Sequence, residues 1–383
     1  MKLGTPGFQG ARLRQARIAL GLTQASLALM LGYKDAQVIG EFEAGKSTPQ
    51  PDIFQRMSTI TGQPAQFFLR PLPPNQKRSP VLFRSMRSLD EVAKARAEVM
   101  LLWLAEYARY LQGFVELPSL DLPTFSDIPK NPLQITDEHI RDAAGRLRKH
   151  WKLGRAPLPN LINLLESVGF VIHVASFDSH KWDAVSYWDA DTRTPFILLN
   201  SDKPSYFRLR FNLLHELFHL LFHQDIDPEL RESPAYQRML EQQAHYFAGE
   251  MGLPYDAFPA DLYAMNLDAL RVTKLKWGMS IGAMIHRLHD LTLTNEREDR
   301  NLWANYARRK WRTEEPLDDA KGAEHPTVIH RIVKLLIEHQ VLTTEDLRHG
   351  GLFSEAVQEQ FARMGEEFWR PITPELKIHK MFG

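Results

Sequence analysis

Apolar and polar positions follow different rhythms along the chain. Between residues 12 and 69, short apolar stretches at helical spacing are cut by glycines. The run ARLRQARIALG stops at Gly21, Thr23 is placed to cap QASLALML, and that helix ends at Gly32. A third helix is predicted over residues 36–43, stopping at Gly45, and a fourth around residues 53–61, after STPQP. Residues 71–80 (PLPPNQKRSP) have the composition of an extended linker. From 89 to about 115, Leu101, Leu102, Leu104, Tyr107, Leu111 and Phe114 form one stripe on a helix of roughly seven turns. Such a stripe must pack, either on the following domain or on a dimer partner.

The rhythm then changes twice. Residues 117–132 hold prolines at 118, 123, 129 and 132 and read as loop; Thr136 caps DEHIRDAAGRLRKHW, acidic first and basic last as the helix dipole favours. LPNLINLLESVG is a second helix, ending at Gly169. FVIHVAS, DAVSYWD and PFILLN read as three short strands, the last two joined by ADTRT. They lead through Ser205 into the helical stretch 208–223, RLRFNLLHELFHLLFH. Further helices are expected over 267–291, 302–311, 328–342 and 357–368, with NEREDRN as a loop. The expected class is mainly α with a small antiparallel sheet, α+β in order. Four parts are expected: an all-α domain at 1–70, a linker and long connecting helix at 71–133, an α+β domain at 134–295, and a helical C-terminal region at 296–383.

The stretch 208–223 contains candidate chemistry. His215, Glu216 and His219 form H-E-x-x-H, and i to i+4 spacing puts both histidines on one helix face, where they can share a zinc ion. Glu216 is placed to act as general base on the attacking water. The bland alternative is a pair of half-buried histidines on an apolar helix. A catalytic zinc needs a third protein ligand. His223 continues the spacing, but three histidines spread over about 12 Å of axis are too far apart for one ion. It is read as helix-end packing or as charge at the helix C-terminus. A second helix should therefore supply the third ligand, and Glu241, in RMLEQQAHYFAGEMGLP, is the candidate, with His245 on the same face.

Composition narrows the partners. The chain has 383 residues, 44% hydrophobic, and no cysteine, so disulfides, thiol nucleophiles and cysteine zinc sites are excluded. No run approaches the roughly 18 apolar residues of a membrane span, and the first ten residues lack a signal-peptide core. No membrane partner and a cytoplasmic location are the expectation. Charge balances at 47 basic and 47 acidic residues, but residues 1–88 hold twelve Lys/Arg against four acids, an excess of eight. Such a front end fits a polyanion partner, and it fits a solvated mixed surface equally well.

With these residues in view, two resemblances emerge. The string LRQARIALGLTQASLALMLG, followed by VIGEFEAGKSTPQPDIFQRMSTITGQPAQFF, resembles the XRE-type helix-turn-helix of the phage repressors across residues 12–68. The resemblance implies operator-DNA binding by a homodimer. Gln24 would meet phosphate, and Gln37 with its neighbours on the third helix would face base edges; Lys34 and Lys46 join the candidate DNA-binding set. The stretch 32–43 is one residue longer than usual, and Gly40 stands where a polar contact is common.

The second resemblance is to the ImmA/IrrE metallopeptidases, zincin-like in fold. It rests on Ile197-Leu198-Leu199-Asn200, residues 208–211, the H-E-x-x-H, residues 241–248, and residues 274–280 with Trp277, which is read as core. It implies zinc, with Mn²⁺ as the other divalent candidate, held by His215, His219 and Glu241, and Glu216 as base. His245 replaces the usual asparagine and is read as supporting Glu241, with ligation the alternative. Phe218 replaces a small residue and would narrow the cleft. Tyr187, Tyr206 and Tyr246 are possible oxyanion donors. The expected function is a DNA-binding transcriptional regulator carrying a zinc endopeptidase that cleaves or controls a repressor or partner protein in a stress, mobile-element or toxin–antitoxin setting. The alternative is a transcription factor or antitoxin whose peptidase-like domain only senses a ligand or a protein.

Overall fold

In the computed structural model, the described residues are 4–73, 91–179, 182–189, 191–202, 205–224, 226, 229–230, 233–350 and 352–370. Most of the expected linker (74–90) and the end of the chain (371–383) lie outside them. Four helices open the chain: α1 (Gly10–Ala19), α2 (Gln24–Leu31), α3 (Gln37–Glu43) and α4 (Pro51–Thr61). Their boundaries follow local chemistry. The Thr23 hydroxyl accepts from the Ser26 amide at 3.0 Å, and Gly32 ends α2 in the left-handed conformation. Gly10 is needed for another reason, because a Cβ there would lie 1.9 Å from the Phe42 carbonyl where α1 crosses α3.

The long helix α5 (Glu91–Gln112) bears the expected stripe, with Leu101, Leu104, Tyr107 and Leu111 buried, whereas Phe114 lies beyond its end and is 42% exposed. A buried ion pair joins it to α1. Arg12 donates to both carboxylate oxygens of Glu106 at 2.7 and 2.6 Å, and Gln15 receives both Arg12 and the Trp103 indole.

Next come α6 (Asp137–His150), capped by Thr136 as expected, α7 (Leu161–Ser167), and strands β1 (Val171–Ala175), β2 (Ala184–Asp189) and β3 (Thr194–Asn200). The sheet corrects the expectation of a purely antiparallel arrangement. Its order is β1-β3-β2; β3 is antiparallel to β2 but parallel to β1. The physical reason is that β3 is buried at all seven positions and so takes the centre, leaving β1 and β2 as edges.

Alternation along the strands divides two cores. Phe196 and Leu198 of β3, with Val185 and Tyr187 of β2, face α5 and the N-terminal helices. Ile197 and Leu199 face the second core, built by α8 (Tyr206–Phe222), α9 (Pro234–Gly252), α10 (Leu267–Trp277), α11 (Ile281–Asp290) and α12 (Glu296–Arg308). The last helices, α13 (Val328–Glu338), α14 (Thr344–His349) and α15 (Glu355–Ala362), return to the first core, where Phe353 packs on Phe67 and Trp103. The C-terminal region thus contributes to both cores, α12 to one and α13–α15 to the other.

Ion pairs pin the crossing segment between them. Lys274 donates to Glu315 at 3.0 Å and to Asp318 at 2.7 Å, and Arg210 pairs with Glu324.

Candidate metal centre

The site is assembled by the two longest helices of the second core. Ser205 caps α8 and Ser233 caps α9, with Pro234 opening the latter, so each helix begins at a fixed residue. α8 is buried along nearly its whole length, and its His215 and His219 rings lie 4.7 Å apart between centroids. α9 packs beside it and supplies Glu241. The His215 and His219 Nε2 atoms are 3.0 Å apart; Glu241 Oε2 lies 3.2 Å from the first and Glu241 Oε1 lies 3.7 Å from the second.

Among the described residues these three form the one group of histidines and carboxylates compact enough to share a metal. The distances fit the group the chemistry suggests. Ligand bonds of about 2.0–2.1 Å to a tetrahedral zinc imply ligand–ligand edges of about 3.3 Å, and the observed spacings bracket that value. Two imidazole nitrogens and a carboxylate suit zinc.

A hydrogen-bond chain determines how His219 presents itself. Gln243 Nε2 faces two carbonyls, those of Pro132 at 2.9 Å and Ile135 at 3.2 Å, so it donates and its Oε1 must accept. The acceptor takes the proton of His223 Nε2 at 2.9 Å, which leaves His223 Nδ1 a lone pair. His219 Nδ1, 2.7 Å away, therefore carries the proton. Its Nε2 is then a bare lone pair turned toward His215 and Glu241, the tautomer a metal requires. His223 sits at the helix end, as read from the sequence, fully buried, and links His219 to Gln243. His215 has no such brace. Its Nδ1 is buried without a hydrogen-bond partner, and packing against the His219 and His245 rings holds it.

Glu216 points to the sheet side. It is 3% exposed, and its Oε2 accepts from Ser186 Oγ on β2 at 2.6 Å. Ser186 has no sequence signature; alternation on β2 places it on the α8 face once Val185 and Tyr187 are assigned to the other core. His245 stacks on Phe211 at 5.6 Å and leans on His215 at 4.7 Å. His245 is exposed by surface area, while desolvation by the surrounding side chains first, and His215 second, lower its pKa to about 4.

None of the three tyrosines offers an oxyanion donor. Tyr187 lies in the other core, where burial lifts its pKa to about 12. Tyr206 opens α8, nine residues and roughly 13 Å before His215, stacked under Arg210. The Tyr246 hydroxyl accepts from Arg141 at 2.8 Å, and its place on α9 is about 140° round the helix from Glu241. Several residues in the resembling motifs prove to be braces. Asn200 holds the Ser179 and Trp182 carbonyls, Arg208 holds those of Trp311 and Arg312, and the Trp277 indole donates to Asp261. Phe218 fills the core between Phe222 and Phe247 and does not line the cleft.

On the N-terminal helices, Lys34, Gln37 and Lys46 are exposed and Gln24 is half-buried. Gln24 donates to Glu43 and Gln37 to Glu41, so both side chains are pre-set along α3.

Comparison with known families agrees with this layout. Residues 13–68 match a helix-turn-helix family and residues 165–289 match the IrrE N-terminal-like domain of the M78 peptidases. No curated protein matches the chain. No helix among the described residues is long and apolar enough to cross a membrane. The chain therefore joins a DNA-binding helix-turn-helix domain of the XRE type to a peptidase-family domain of the IrrE/ImmA type.

Proposed function

We propose that the chain is a transcriptional regulator whose second domain is a zinc-dependent endopeptidase acting on a repressor or partner protein. The observation that carries this reading is the pairing of a compact His-His-Glu donor set with a buried carboxylate, Glu216, that forms no part of it. A purely structural metal would have no use for such a base.

Zinc, when bound by His215, His219 and Glu241, supplies Lewis acidity to the scissile carbonyl and makes water a better nucleophile at neutral pH. The protein's own residues do the rest. Ser186 fixes Glu216 through Oε2, and the Glu216 carboxylate takes the proton of the attacking water and delivers it to the leaving amine. The His223–Gln243 chain keeps His219 in its ligating tautomer. The neutral His245, at the mouth of the cleft, can donate a ring N–H to a substrate oxygen without adding charge beside the metal. Strand β2 is an edge of the sheet over α8, and its outer side can pair with an extended peptide.

In the N-terminal domain, a homodimer would set two copies of α3 on operator half-sites. The test is Glu216→Gln. Wild type and variant should both bind zinc, and only wild type should cleave the protein encoded beside this chain; failure of zinc-loaded wild type to cleave it favours a sensor role.

A further inference from the structure

A cavity of about 620 Å³ lies on the far side of the sheet from the metal centre, where the end of α1, α5, the β1 edge and α15 meet. The volume is that of a small-molecule site. Its wall is apolar at Met100, Ala175 and Phe177, and two cations reach it from separate elements, Arg96 of α5 and Arg363 just after α15. Arg96 donates to the Phe177 carbonyl at 3.2 Å and stacks over that ring, and Arg363 donates to His325 Nδ1 at 3.0 Å. Among the described residues neither guanidinium has a carboxylate partner.

The one carboxylate on the wall, Glu359, is committed elsewhere. Its oxygens accept from the Met364 and Gly365 amides at 2.9 Å and from the Trp369 indole at 2.7 Å. Two further details mark the place as built. His173 is 2% exposed, on a strand face otherwise apolar, and its Nε2 has no hydrogen-bond partner. Arg363 is held at φ 51°, the left-handed conformation that glycine adopts without strain.

We propose that this cavity binds an organic anion, a carboxylate or phosphate ester carried on an apolar body, with its head group between Arg96 and Arg363. The guanidiniums supply the bidentate donors such a head group needs, and the apolar wall takes the body. His173, kept neutral by burial, brings no competing charge to the wall. An occupant lies against the first core and touches both domains at once, because α1 belongs to the helix-turn-helix domain and β1 to the peptidase-family domain.

The test uses the full chain and 1-anilinonaphthalene-8-sulfonate, an anion on an apolar ring system, followed by fluorescence. One saturable site is expected, displaced by phenyl phosphate or benzoate and not by benzylamine; the better competitor identifies the head group. Arg96→Gln with Arg363→Gln should weaken the dye roughly tenfold or more, and Ala175→Phe, which fills the cavity from the His173 face of β1, should abolish the site. Dye binding equal to wild type in the double arginine variant, displacement by benzylamine as good as by benzoate, or uptake that never saturates would overturn the assignment. Both arginines sit at the rim, so the double variant decides the matter even if Ala175→Phe does not fold.

Discussion

His173 makes a measurable demand on stability. The ring is 2% exposed on β1, faces Phe361 at 5.1 Å, and has an unpaired Nε2; burial first, and Arg363 second, push its pKa down to about 3. In the unfolded chain the imidazole takes a proton near 6.5. Between those values the unfolded state binds more protons than the folded one, so stability is lost as pH falls. The loss attributable to this residue is about 1.4 kcal/mol at pH 5.5 and about 2.7 kcal/mol at pH 4.5. Urea denaturation followed by tryptophan fluorescence, at pH 7.5, 6.5, 5.5 and 4.5, on wild type and His173→Leu, isolates it, because all other titrations are common to both proteins. The variant should match or exceed wild type at pH 7.5 and lead by the amounts above in acid. Parallel loss of stability in the two proteins would show that the folded ring titrates normally, and the argument from burial would fail.

Other perturbations probe separate contacts. Ser186→Ala removes the hydrogen bond that aims Glu216; turnover should fall roughly 10- to 100-fold with zinc content unchanged, measured by cleavage rate beside metal analysis. Glu106→Ala strands the buried Arg12 guanidinium and should cost about 3–5 kcal/mol in urea denaturation, largely restored by adding Arg12→Met. Gln37→Ala should relax the preference for the promoter sequence, whereas Lys46→Ala should weaken binding to any DNA and lower the salt slope by about 1; unchanged anisotropy titrations for both would remove α3 from the groove.

Features set by neighbours in sequence were legible in it. Thr23, Thr136 and Gly32 bound their helices as their chemistry requires, and the four-residue spacing of His215 and His219 alone puts two ligands on a face. Glu241 needed more, namely the family resemblance, because it lies inside α9 with no local signal of its own. The rest depends on contacts between distant segments. Gln243 reaches Pro132 across 111 positions, and Gln63 accepts from the Ser354 amide across 291, which is how the C-terminal helices join the first core. The parallel pairing of β1 with β3 was not legible, because three consecutive short strands suggest an antiparallel meander; the unbroken apolar run of residues 196–199 is the sign that β3 is central. The cations at 208, 210 and 274 lie in motifs that suggested a site, and burial gives them the task of anchoring the segment 311–324.

The most direct measurement of the central claim is zinc per chain, by elemental analysis and competitive titration, for wild type, Glu241→Gln and Glu216→Gln. A third ligand at Glu241 and a non-ligating base at Glu216 predict about one zinc in wild type and in Glu216→Gln, with affinity in Glu241→Gln reduced by several orders of magnitude. Wild-type affinity in Glu241→Gln, or loss of zinc in Glu216→Gln, would contradict the account.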